Sequence, residues 1–133
     1  MEIQLKIAGI ILICLALVHL FFPRYFEWKQ ELQRLSLVNR QMVQVHTFFI
    51  ALTLFLMGLL AFFFGRDLMA TTLGQAIGLG LGVFWVIRLV VQFIGYSSQL
   101  WKGKAFETFI HILFITLWSY LSFIFFNIYF HWL

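Results

Sequence analysis

Apolar residues in this chain fall into four long runs, at residues of about 3–22, 42–65, 74–96 and 105–132, with short polar interruptions between them. Each run is close to or beyond the roughly 20 residues that a helix needs to cross hydrocarbon, at a rise of about 1.5 Å per residue. The pattern therefore predicts four spanning helices. The connections at residues 66–73 and 97–104 are short, which sets neighbouring helices antiparallel. The expected architecture is all-α: an up-and-down four-helix transmembrane bundle, one domain over residues 1–133.

The segment at residues 23–41 follows another pattern. Arg24, Glu27, Lys29, Gln30, Glu31, Gln33 and Arg34 interleave with Tyr25, Phe26, Trp28, Leu32, Leu35, Leu37 and Val38. Pro23 stops the first span or starts a new turn, and Trp28, Leu32 and Leu35 recur at helical spacing. A short helix lying in the interface is expected, aromatic side toward lipid and charges toward water; an ordered polar loop is the alternative.

Composition agrees with the pattern. Of 133 residues, 63% are hydrophobic, 11% are charged and 18 are phenylalanine, and the mean hydropathy is +0.98. So continuous an apolar surface cannot be hidden inside a soluble fold of this length. A cleaved signal peptide fits poorly, because Phe21, Phe22 and Pro23 stand where small residues should precede the cut. The single Cys14 has no partner for an internal disulfide and reads as packing.

Charge gives orientation. Arg24, Lys29, Arg34, Arg40, Lys102 and Lys104 belong to the side shared by the first and third loops, against Lys6 and Arg66 on the other. The positive-inside rule places loops one and three in the cytoplasm and both termini outside, with a bacterial inner membrane as the expected setting. The net charge of +4 then forms a collar suited to anionic lipid headgroups. No soluble basic surface exists for nucleic acid.

Threading the four spans brings polar residues from all of them to one leaflet. His19 falls about one turn from the cytoplasmic end of the first span, His46 about one turn into the second, and His111 one turn below the start of the fourth, with Glu107 nearer the surface. On the third span Arg88, Gln92 and Tyr96 share a stripe. Gly74, Gly78 and Gly82 repeat as GxxxGxxxG on an overlapping arc, which marks close approach to another helix within the chain or to a second copy. Glu107, His111, Trp118 and Ser122 line up on the fourth.

Each feature has a purely structural explanation beside the functional one. His19 suits an interfacial hydrogen bond, His46 and His111 suit helix-to-helix hydrogen bonds, and His131 beside Trp132 suits the opposite interface. Arg88, two turns deep, calls for Glu107 or an anionic ligand as partner, or snorkels.

Three chemistries use such residues. His46, His111, His19 and Glu107 are candidate ligands for a divalent metal such as zinc or iron, without HxxxH or HExxH spacing to support them. His46 and His111 are candidate axial ligands of haem b, with Arg40 or Arg88 pairing propionates; in architecture alone this resembles membrane cytochromes of the b type. Ile110, Phe114 and Ile115 crowd His111 against that reading. Third, Arg88, Arg40, Glu107 and the histidines hold the polar head of a lipid or other amphiphile, walled by Trp85, Trp101 and Trp118. Histidine acid–base catalysis would extend this, but no nucleophile is placed for it. A function of another class stands beside these: an accessory subunit of a larger membrane complex, docking through its helix faces without a cofactor.

Overall fold

A computed structural model describes residues 2–25, 32–95 and 105–131. The fold is all-α, with α1 at Glu2–Tyr25, a 3-10 turn at Leu32–Arg34, α2 at Leu37–Phe63, a short α3 at Gly65–Ala70, α4 at Thr72–Ile94 and α5 at Ala105–Phe130. Four stretches among the described residues, Glu2–Leu20, Leu37–Phe63, Thr72–Ile94 and Ala105–Phe130, are long and apolar enough to cross a membrane. In hydrocarbon the backbone finds no outside hydrogen-bond partners, and a helix is the structure that satisfies it within one segment.

The helix ends depart from the apolar runs in instructive ways. Pro23 does not end α1, whose helical backbone continues to Tyr25. A proline this near a helix end removes only one bond of the ladder. Ser36 starts α2 well before Met42, its hydroxyl accepting from the Asn39 N–H at 3.3 Å. Residues 37–41 thus belong to the second long helix and not to an interfacial one. The centre of the expected interfacial helix, residues 26–31 with Trp28, lies outside the described residues.

Much of the stretch expected as a loop at residues 66–73 is helical. Thr71 ties it together, donating its hydroxyl hydrogen to the Asp67 carbonyl at 2.7 Å and accepting from the Gly74 N–H at 2.9 Å as the N-cap of α4. At the far end His131 adopts a left-handed φ of 54° and returns its N–H to the Asn127 carbonyl at 2.9 Å, closing α5.

The chain forms two compact units, residues 2–65 and 66–133. In the first, α1 and α2 make an antiparallel hairpin. Leu5, Ala8, Leu12, Leu15 and Ala16 of α1 and Ala51, Leu54, Met57 and Ala61 of α2 are its buried apolar residues, spaced three or four apart. The backbones touch at two glycines: a Cβ on Gly9 would stand 2.6 Å from the Gly58 carbonyl oxygen, and one on Gly58 would stand 2.8 Å from that of Gly9.

The second unit is the antiparallel hairpin of α4 and α5, with α3 against the start of α4. The expected glycine stripe is filled within it. Gly74 meets the backbone of Asp67 and Leu68, Gly78 lies under Ile128, and Gly82 lies under Phe126. A second copy could use that stripe only by displacing these residues. Further along the same interface the small residues give way to Trp85 and Trp118, both buried.

The glycines give a direct test. Gly78→Ala places a methyl group 2.5 Å from the Ile128 Cβ, and is expected to cost about 1–3 kcal/mol in unfolding measurements in detergent. Gly80→Ala meets nothing within 4 Å and is expected to be neutral or to stabilise by about 0.5–1 kcal/mol. Equal responses would show that the stripe does not set the helix approach.

Candidate functional site

Most hydroxyls in the spans are satisfied locally. Thr47, Thr53, Thr116 and Ser122 each donate to the carbonyl four residues earlier, at 2.7–3.0 Å. The Asn127 amide does the same toward Phe123, at 2.8 Å. Gln92 behaves differently. Only 4% exposed, it bonds across to the facing helix, its Nε2 lying 2.9 Å from His111 Nδ1 and its Oε1 3.3 Å from Trp118 Nε1. On its own helix Arg88 Nη1 also donates to Oε1, at 3.4 Å.

Stoichiometry fixes the hydrogen positions in this network. Trp118 Nε1–H and the guanidinium are donors only, so the atom between them must be the amide oxygen. The amide nitrogen then points at His111 and donates to Nδ1. A neutral His111 consequently carries its hydrogen on Nε2. The orientation of Gln92 follows from its neighbours, without reliance on telling oxygen from nitrogen.

Arg88 is held from a second side. Its Cζ lies 5.1 Å from the centroid of the Trp118 ring, a cation–π contact whose strength grows as water is excluded. Trp118 is itself stacked between aromatics, 5.1 Å and 15° from Trp85 and 5.5 Å and 10° from Phe114. Phe93 meets the His111 ring edge-on at 6.2 Å. The Gln92 amide and the Trp118 ring are thus both neighbours of the guanidinium.

The structure thus unites Arg88, Gln92 and His111 in one hairpin, at the end where the glycines stop. Glu107 is exposed in the first turn of α5, where a carboxylate suits the helix dipole. Tyr96 lies outside the described residues. The other candidates belong to the first hairpin. His19 is half-buried and donates from Nδ1 to the Leu15 carbonyl at 2.8 Å. His46 is exposed on α2. Arg40 is half-buried in the first turns of α2, with its Nε buried and without an acceptor among the described residues.

No three His, Cys, Asp or Glu side chains able to hold a metal ion come together among the described residues. The arrangement that does come together is one guanidinium with amide, imidazole and indole groups.

Sequence reasoning assigned Trp118 to an aromatic wall and missed its part as hydrogen-bond donor and platform for Arg88. The signal was present in the register of Trp85, Arg88 and Gln92, which follow i, i+3, i+7 on one face. The stripe was instead extended in the other direction, to Tyr96.

Compared with known proteins, the chain matches no family model, no curated protein and no solved structure.

Gln92→Leu should test whether the network supports the hairpin. It strips the acceptor from a buried indole N–H and is expected to lower the unfolding free energy by about 1–3 kcal/mol. Combining it with Trp118→Phe, which removes that donor, should cost less than the two losses added together. Strict additivity in a detergent unfolding series would mean that the bond contributes nothing.

Proposed function

We propose that this is a polytopic membrane protein that binds the anionic headgroup of an amphipathic molecule in the cytoplasmic leaflet, through the α4–α5 hairpin. The observation that carries the reading is Arg88, a guanidinium on a spanning helix that meets the Gln92 amide and the face of the Trp118 ring beside a polar network. Ionisable groups at such depth are costly, and a functional role is their default interpretation. An anion entering from the leaflet pairs with the guanidinium, while Gln92 and Trp118 hold the fork in place. His111, fixed through Gln92, completes the polar wall. The excess of Lys and Arg in loops one and three supports a cytoplasmic position for this end of the hairpin, with both termini outside a bacterial inner membrane.

One observation favours a second reading. His46 is exposed on a helix composed to span a membrane, and an imidazole in that position suits a hydrogen bond to another membrane subunit. In that case the chain is an accessory subunit, and retention of lipid by the isolated protein would not depend on Arg88.

Native mass spectrometry of the detergent-purified protein separates the two. Phosphatidylglycerol is expected to be retained in preference to phosphatidylcholine of the same chains, and Arg88→Ala to weaken that retention by about tenfold or more, the scale of a charged hydrogen bond. Arg88→Lys keeps the charge and should fall between them. Equal retention by all three proteins would overturn the headgroup reading.

Orientation is tested on a Cys14→Ala background. A membrane-impermeant maleimide should label Asp67→Cys in intact cells, and Arg34→Cys only after permeabilisation. The reverse pattern would invert the topology.

A further inference from the structure

Trp85 is 2% exposed, and its Nε1–H is buried with no acceptor among the described residues. Sealed donors without partners are rare in native proteins and call for a specific explanation. The neighbouring indole offers no relief, because a ring N–H accepts nothing and that of Trp118 is already given to Gln92 Oε1 at 3.3 Å.

The position of this donor is informative. Trp85 precedes Arg88 by three residues, so the two share a face of α4 with the indole about 4.5 Å further along the axis, away from the Ile94 end. Both touch the same ring: Trp85 stacks on Trp118 at 5.1 Å, and the Arg88 guanidinium lies 5.1 Å from its centroid. A cation and an uncommitted N–H donor therefore stand about one helical turn apart, both against one aromatic platform. The cation selects a charged group. The donor selects an uncharged oxygen displaced from it toward the acyl chains.

We infer that the occupant is an anionic acyl-ester lipid, its phosphate paired with Arg88 and an ester carbonyl accepting from Trp85 Nε1–H. The inference rests on the headgroup reading above and names the chemical class that satisfies it. A free fatty acid carries its charge and its only oxygens in one group, and a polyprenyl phosphate has hydrocarbon where the second acceptor is needed. A glycerolipid has ester carbonyls about one turn below its phosphate. The covered Nε1 is reached only as the Trp85–Trp118 stack parts, so binding changes the surroundings of both indoles.

The experiment compares diacyl phosphatidylglycerol with its dialkyl ether analogue, which has the same headgroup and chains but no carbonyls. Wild-type protein is expected to favour the ester by about tenfold, the scale of one buried hydrogen bond. In Trp85→Phe that preference disappears while the dependence on Arg88 remains. In parallel, the indole N–H resonance of Trp85 in tryptophan-labelled protein, identified by its loss in Trp85→Phe, moves downfield with the ester lipid and not with the ether. Should Trp85→Phe fail to fold, the ester-to-ether ratio of the wild type decides alone. Equal affinity for the two lipids, with Arg88→Ala still weakening both, overturns the ester inference and leaves the headgroup reading standing. Indifference of both lipids to Arg88→Ala overturns the headgroup reading itself.

Discussion

Hydrocarbon offers a polypeptide no hydrogen bonds, so polar groups placed in it are driven to find partners within the protein. This requirement shapes each level of the molecule. The backbone meets it by forming helices from Glu2–Tyr25 to Ala105–Phe130. The hydroxyls of Thr47, Thr53, Thr116 and Ser122 meet it by folding back on their own helix. Where a side chain is too long or too polar for that solution, as with Gln92 and Arg88, the partner comes from further away and a polar network results.

Packing within each hairpin follows from the same solvent. Lipid gives helices little hydrophobic reason to associate, so close contact and small residues take over. Gly9 and Gly58 let the first pair touch backbone to backbone, and Gly78 and Gly82 receive Ile128 and Phe126 in the second. Along α4 the side chains then grow from glycine to tryptophan. This gradient divides the second hairpin into a closely packed glycine end and an aromatic end that carries the polar network. The polar residues sit at the aromatic end, where large rings leave edges and faces for Arg88 and Gln92.

The polar end of the second hairpin combines three kinds of group. The guanidinium supplies charge, the amide supplies orientation, and the stacked indoles exclude water and strengthen the electrostatics. None of the three alone defines a site. A lone arginine in a span snorkels, a lone glutamine cross-links helices, and a pair of tryptophans is packing. Their convergence on two turns of α4 and the facing turns of α5 is what separates this end of the hairpin from the rest of the apolar surface.

Much of this was legible from residue order. The four apolar runs identify the four long helices, because length and composition decide what can span. The GxxxGxxxG spacing marks a close-packed face, and the i, i+4 spacing of Arg88 and Gln92 places both on one stripe. Helix ends were read less well: Ser36 and Thr71 act through local side-chain hydrogen bonds that hydropathy does not register, and the helical backbone of α1 runs past Pro23 to Tyr25. Only the folded hairpin decided that the glycine face is filled by Ile128 and Phe126, that Gln92 joins His111 to Trp118, and that Trp85 buries a donor without an acceptor among the described residues. The reason is physical. Periodicity tells which side of a helix a residue occupies, but the partner it meets depends on the register between two helices, and a register is set by every contact along the interface together.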